Sequence, residues 1–255
     1  MAALALLGAL ELSGCVGGAV AAGPEEFLSE RSVGVQPEPK AFDYCRDHSC
    51  NRVVRLALSD SAWAEMVEPL RSPSASAAEE RERLKQVVGA FEGHAARLAG
   101  TSEDRGGTMT AYGAGGQLDC VDETANTTVL LLMLERAGLL RWHRTAPPAG
   151  RGNLVDGIMP HRTAAIVESA TDAEWAVDSW FHDNGAAPEV VTMSAWLSGW
   201  SPEDVATVAA TAADRPPGER QLSREDPDET QECCGQAVDS GDRHREGSSD
   251  QAPQT

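Results

Sequence analysis

The chain has 255 residues, 41% of them hydrophobic, and a formal net charge of −19 at neutral pH. This length is enough for a sizeable hydrophobic core, and we expect one domain of roughly 150 to 170 residues between unstructured ends. The strong negative charge argues against nucleic acid or an anionic membrane surface as a partner, because both would repel the chain.

Residues 1–22 are interpreted as an export signal. A short apolar run ends in Leu12–Cys15, sequence LSGC, which is similar to a bacterial lipobox with Cys15 as the lipidated residue. Ordinary signal cleavage after Ala19–Ala21 is one alternative. A cytoplasmic protein with an Ala- and Gly-rich terminus is another, since Glu11 interrupts the apolar run. The export interpretation predicts a protein in the bacterial cell envelope, on the periplasmic side, that meets the membrane only through its N-terminal lipid anchor.

Residues 23–57 are expected to form a leader segment ahead of the main domain. Cys45 and Cys50 lie close together in it, and in an exported protein they would close a small disulfide loop. A metal site that adds His48 is the alternative, although only two thiols are close by in the sequence.

The main domain is assigned to residues 58–213 and begins with helices. Hydrophobic periodicity predicts a short helix over Ser59–Leu70 and a long amphipathic helix over Ser74–Leu98, both with a core-packing role. A further helix over Asp122–Ala137 is apolar almost all round, so we expect it to be central and buried. Gly138 is suited to end that helix.

Cys120 lies at the N-terminal edge of this apolar helix. Backbone N–H groups at a helix start lower the pKa of a thiol, favour the reactive thiolate and can hold a developing oxyanion. Gln117, slightly earlier in the chain, is a weaker candidate for an oxyanion donor. The plainer interpretation is a buried structural cysteine and a solvated loop glutamine.

Two strand-like runs follow, Thr163–Glu168 and Glu174–Phe181, and the turn-prone stretch between them indicates a hairpin. If the hairpin turns midway between His161 and Asp178, these side chains lie opposite each other on one face, about 5 Å apart at Cβ. If the turn lies nearer to Asp172, they slide apart along that face and a bulge must restore the contact. The alternative is a surface histidine and a solvated aspartate with no joint role.

The rest of the chain carries fewer signals. Met193–Trp200 is predicted to be a short helix with Trp196 and Trp200 facing inward. Residues 214–255 are acidic, polar and poor in apolar side chains, so we expect this tail to be disordered.

In these surroundings the order Cys120, His161, Asp178 resembles the transglutaminase-like superfamily, and above all the bacterial transglutaminase-like cysteine proteinases. The family's cysteine motif is matched by the sequence CVDETA that starts at Cys120. Its histidine strand is matched by His161–Val167, and its aliphatic–Asp pair by Val177–Asp178. The resemblance covers about residues 84 to 200.

The resemblance implies an α+β fold with a papain-like or transglutaminase-like core, in which a nucleophile helix packs on a small antiparallel sheet behind a helical N-terminal part. It implies a protease or amidase that needs no cofactor and acts on a protein, peptide or amide substrate. Cys120 would form a thioester acyl-enzyme, His161 would act as the base, and Asp178 would orient the imidazole. Transamidation is an alternative, because it uses the same acyl-enzyme.

Two residues depart from the family pattern. Val121 stands where an acidic residue is usual, and Arg162 where a small residue is common. Some bacterial members bind calcium through acids beside the cysteine; Asp119 is the candidate here, and the missing acid at Val121 disfavours that site. The departures also motivate an alternative function: a catalytically inactive transglutaminase-like envelope protein that serves as a binding or assembly module.

Overall fold

A computed structural model describes residues 23–108, 115–153, 155 and 157–202. The predicted export signal with Cys15, and the tail predicted to be disordered, lie outside these residues. None of the helices that the structure describes combines the length and the apolar sequence needed to span a bilayer.

Helices and antiparallel strands alternate in blocks along the described chain, which confirms the α+β class. The elements are α1 (Pro24–Ser29), β1 (Phe42–Arg46), β2 (Arg52–Leu56), α2 (Asp60–Met66), α3 (Glu68–Arg71), α4 (Ala77–Ala99), α5 (Cys120–Arg136), β3 (His143–Asn153), β4 (Ile158–Glu168), β5 (Glu174–Asp178), β6 (Glu189–Thr192) and α6 (Met193–Leu197).

The main sheet has four antiparallel strands in the order β3-β4-β5-β6. Because side chains alternate along a strand, its two faces enter two different cores. Ala164 and Ile166 of β4 share the large core with α5, whereas Ala165 and Val167 pack in a smaller core with Trp196 of α6. The sheet is therefore a layer between α5 on one side and α6 on the other.

The segment predicted to be a leader belongs to the large core. Phe27 of α1, Phe42 and Tyr44 of β1 are almost fully buried in the cluster that also holds Phe91 of α4 and Leu130 of α5. The domain therefore starts before residue 58, because helices α4 and α5 bury one side of their surface against these aromatic residues.

The predicted helices are present, with local reasons for their ends. The short helix expected over Ser59–Leu70 is split at Val67 into α2 and α3. Pro69 lies in the first turn of α3, a position that suits proline. Helix α5 runs through the predicted span and is followed by Gly138 with a φ of 66°. Such a left-handed residue is typical of a helix end.

Candidate active site

His161 and Asp178 are brought together by the pairing of β4 with β5. Ala164 lies opposite Val177, so Asp178 comes next to Thr163, and His161 lies two residues further along the same face. This diagonal relation brings Nε2 of His161 to 2.7 Å from Oδ2 of Asp178, with both side chains almost inaccessible to solvent. The register lies between the two hairpin alternatives, and the contact forms with no bulge between Ala164–Val167 of β4 and Glu174–Val177 of β5.

Trp196 of α6 completes the surroundings of this carboxylate. Its indole Nε1–H donates to the same Oδ2 of Asp178 at 2.7 Å. An indole nitrogen can only donate, so the oxygen accepts from both neighbours, and His161 presents its N–H at Nε2. In the neutral imidazole Nδ1 is then the basic nitrogen. It is buried and has no hydrogen-bond partner among the described residues.

Three aromatic rings enclose the imidazole of His161. The ring centroids of Trp180, Phe181 and Trp196 lie 4.7, 5.3 and 5.6 Å from it. These rings fix the orientation of the imidazole and keep water away from its bond to Asp178. Their role around the imidazole does not follow from the sequence pattern, although Trp180 and Phe181 end the predicted aspartate strand, which in the structure stops at Asp178.

Cys120 is the first residue of α5 and is partly exposed. Its sulfur accepts the backbone N–H of Arg162, the residue that follows His161. Cys120, His161 and Arg162 all line one cleft of about 770 Å³. By strand alternation Arg162 faces the α5 layer and His161 the α6 layer, so the sulfur meets β4 at its backbone.

The structure thus shows the His161–Asp178 pair, and it places Cys120 in the same cleft. Within the described residues no hydrogen bond joins the sulfur of Cys120 to the imidazole. A complete Cys–His–Asp group therefore stays a prediction, because the contact between Cys120 and His161 is missing.

The prediction of a lowered thiol pKa is wrong for this state of the protein. Burial raises the pKa of Cys120 to about 11, and the charges of Asp119 and Asp178 raise it further, against the lowering effect of the Arg162 N–H. The helix start does not help, because Oδ1 of Asp119 accepts the N–H groups of Val121 and Asp122 at 3.0 and 2.9 Å. These two N–H groups therefore donate to the N-cap side chain and not to the sulfur of Cys120.

One amide at the start of α5 remains for an oxyanion. The N–H of Glu123 donates to the backbone carbonyl of Asp119, while the N–H of Cys120 itself has no hydrogen bond among the described residues. Gln117 is placed differently from the prediction. Its Nε2 donates to the carbonyl of Glu103 at 2.8 Å and its Oε1 accepts the N–H of Arg105. A role for Gln117 as an oxyanion donor would require its side chain to break both hydrogen bonds.

A left-handed loop, Asp47–Cys50, is docked on the start of α5. All four residues have positive φ, between 54° and 66°, and the loop is closed by the predicted disulfide Cys45–Cys50, which is present. The N–H groups of His48 and Cys50 donate to Asp122 at 2.8 and 2.7 Å. A non-glycine residue in this conformation costs about 1 kcal/mol or more, so the loop needs these bonds.

Neither predicted metal alternative fits the donor atoms. The carboxylate of Asp119 accepts two N–H groups of α5, and the N–H and hydroxyl of Ser49. Four donors occupy the four lone-pair positions that a calcium ion would need. The two thiols of the Cys45–His48–Cys50 alternative are joined to each other. The neighbouring Asp122 is buried, which raises its pKa to about 7.

Arg151 of β3 holds α6 in place and was missed by the sequence analysis. Its guanidinium lies 4.4 Å over the ring of Trp196. Its Nη1 donates to the carbonyls of Trp196 and Trp200. Arg151 pairs with His161 across β3 and β4. It therefore links the strand of the imidazole to the helix that carries the indole donor to Asp178.

Comparison with known proteins adds no assignment to this geometry. The chain matches no protein-family model, no curated protein and no solved structure.

Proposed function

We propose that the protein is an exported cysteine hydrolase, a protease or amidase with a transglutaminase-like, papain-like core. One observation carries the proposal: a buried imidazole is held at Nε2 by Asp178, is unpartnered at Nδ1, and lies in the cleft that Cys120 lines. A histidine oriented by a carboxylate is the arrangement that a nucleophile needs from its base.

The raised pKa of Cys120 determines what the base must do. At neutral pH the thiol keeps its proton, so attack on a carbonyl requires its removal at the same time. The side chain of Cys120 would turn from the Arg162 amide towards Nδ1 of His161. Because the sulfur lies on the α5 side of β4 and the imidazole on the α6 side, this contact also requires the cleft to rearrange when substrate binds, and catalytic hydrogen bonds often form only at that stage.

The reaction then has two halves. Nδ1 of His161 takes the thiol proton as the sulfur forms a bond to the carbonyl carbon, and the Cys120 N–H donates to the oxyanion. The imidazolium returns this proton to the leaving amine as the C–N bond breaks, which leaves a thioester. Water, deprotonated by His161, attacks the thioester and releases the acid and the free thiol. With an amine in place of water the outcome is transamidation.

A non-catalytic binding or assembly module is the second candidate. The observation that favours it is the protonated thiol of Cys120, with a pKa near 11 and no bond to His161. In this alternative, the buried His161–Asp178–Trp196 group only stabilises the packing of α6 on the sheet.

A thiol-directed acyl probe with peptide mapping tests the proposal against this alternative. The wild-type protein should be acylated at Cys120, and Cys120→Ala and His161→Ala should not. His94→Ala is the matched control, because His94 lies on α4 and bonds to Arg97 outside the cleft. If folded His161→Ala is acylated as fast as the wild type, the imidazole is not a base and the binding module takes the place of the hydrolase.

A further inference from the structure

Arg162 has an unusual position for a charged residue. Its backbone N–H bonds to the sulfur of Cys120, and its side chain is exposed and lines the cleft. The side chain lies over Gly150 of β3, whose missing Cβ would come within 3.8 Å of it. On the other side, its guanidinium carbon is 5.8 Å from the ring centroid of Phe27. The cation thus lines the same cleft as the sulfur of Cys120, on the α5 side of the sheet.

The guanidinium of Arg162 forms no salt bridge within the described residues. None of the ion pairs among the described residues includes Arg162. One like charge close by is Arg31, whose pKa is lowered by burial and then by Arg162. Arg31 itself is paired with Glu30 at 3.3 Å. The guanidinium of Arg31 is therefore paired, whereas that of Arg162 has no ion-pair partner among the described residues.

The rest of the cleft lining is a mixture of apolar and acidic side chains. Much of it is small or apolar, including Pro147, Pro148, Gly150, Met193 and Leu197. Three glutamates also line it, Glu26 and Glu30 on α1 and Glu174 on β5, and Glu30 is engaged by Arg31. An unpaired guanidinium in partly apolar surroundings binds carboxylates well, because it offers two parallel N–H donors that match the two oxygens.

We propose that Arg162 is a specificity-determining residue, which selects substrates with a carboxylate beside the carbonyl that Cys120 attacks. The inference rests on the proposed hydrolase function and names its substrate class. The carboxylate is either an acidic side chain next to the scissile bond or the terminal carboxylate of a peptide. Binding neutralises the free charge of Arg162 and places the scissile carbonyl next to the sulfur.

A pair of small alkylating reagents tests the charge without a known substrate. Iodoacetate carries a carboxylate and iodoacetamide does not, and both react with the same thiolate. The ratio of their rates at Cys120, followed by peptide mapping in the full-length protein, therefore cancels any change in the thiol pKa. The ratio should fall roughly three- to tenfold in Arg162→Gln and further in Arg162→Glu, the size expected for one charge at this range.

Two further variants serve as controls for the ratio. Arg162→Lys keeps the charge and should keep the high ratio. Arg144→Gln removes an exposed arginine of β3 that pairs with Asp172 away from the cleft, and it should leave the ratio unchanged. If Arg162→Gln has the wild-type ratio, or if Arg144→Gln lowers it equally, the inference is overturned.

Peptidyl vinyl sulfones of equal length then distinguish the two sources of the carboxylate. One probe has Glu beside the electrophile and an amidated end, a second has Gln and a free terminal carboxylate, and two references are amidated with Gln or Lys. Faster reaction of the first or second probe, lost in Arg162→Gln, supports the inference and identifies the source. Equal rates for Lys and both anionic probes overturn it. Failure of every acyl probe to form an acyl-enzyme, with the reagent ratio preserved, instead overturns the proposed hydrolase.

Discussion

Ser49 donates both its backbone N–H and its hydroxyl to Oδ2 of Asp119, at 2.9 and 3.1 Å. Asp119 is the N-cap of α5 and directly precedes Cys120. One carboxylate therefore ties a left-handed loop to the start of the helix that carries the candidate nucleophile. Because its charge also raises the pKa of Cys120, the same group stabilises the fold and restrains the thiol.

Replacement of Asp119 should separate these two effects. Asp119→Ala removes the cap and is expected to cost about 1 to 2 kcal/mol of unfolding free energy, as typical cap deletions do. Asp119→Asn keeps one capping oxygen without the charge, but its amide nitrogen cannot accept the two Ser49 hydrogen bonds. It should therefore melt between Asp119→Ala and the wild type, yet its Cys120 should react faster with iodoacetamide at pH 8. Thermal melts and alkylation rates measure both. An unchanged rate in Asp119→Asn would show that this carboxylate does not act on the thiol.

Loss of the Cys45–Cys50 disulfide should destabilise the protein moderately. The closed loop is short, so the entropy term is worth only about 2 kcal/mol. The double variant Cys45→Ser/Cys50→Ser should therefore unfold at lower urea concentration. Treatment with dithiothreitol should lower the wild-type midpoint to that of the variant and leave the variant unchanged. Equal midpoints for the oxidised wild type and the variant would contradict the prediction.

Trp196→Phe should impair acylation more than it impairs folding. The substitution keeps an aromatic ring against His161 but removes the donor to Oδ2 of Asp178, and a hydrogen bond to a charged group contributes about 1.5 to 3 kcal/mol. The pH profile of acyl-probe labelling should shift, because without the indole donor the carboxylate of Asp178 interacts more strongly with the imidazole of His161. Trp200→Phe is the matched control, since Trp200 contacts Phe181 but does not bond to Asp178. Identical profiles for the two variants would contradict a role of the indole.

Buried acids should make the protein more stable at acidic than at alkaline pH. Burial raises the pKa of Glu92 to about 8 and that of Asp104 to about 6, and it raises the pKa of the fully buried Glu123 as well. The folded state holds more protons than the unfolded state, so stability is complete below the unfolded pKa of about 4.5 and is lost as the pH rises to about 8. The melting temperature should be higher at pH 5 than at pH 8.5.

Glu92→Gln should flatten this dependence, because the amide cannot ionise. The control is Glu82→Gln on the same helix, where the side chain is exposed and pairs with Lys85. If Glu92→Gln keeps the wild-type difference between pH 5 and pH 8.5, the buried acids are not its cause.

The long and strongly periodic elements could be predicted from the sequence. Helix α5 and the β4–β5 hairpin are determined mainly by residues that lie close together in the sequence. Their positions therefore followed from the spacing of apolar residues and from the turn residues. Strand β3 was missed because Pro147, Pro148, Gly150 and Gly152 are poor strand formers. It forms all the same, because it lies at the edge of the sheet and its register shifts between Ala146 and Ala149, across the two prolines.

The site was harder to predict than the fold for a physical reason. The distance between His161 and Asp178 depends on one hairpin register, which the turn residues restrict. The state of Cys120 depends on contacts between distant segments: the amide of Arg162, and Asp119, whose carboxylate takes the helix amides and is held by Ser49. No local pattern reports such contacts, and the helix-start argument therefore gave the wrong direction for the thiol pKa.

The two prolines of β3 also affect how the molecule meets other copies of itself. An outer strand with free N–H and C=O groups invites a further strand to add, which is how sheets aggregate. Pro147 and Pro148 have no N–H to offer, and the shifted register around them bends the edge. The outer edge of β3 is therefore a poor template for intermolecular strand pairing, so the cleft can stay open along it without promoting self-association.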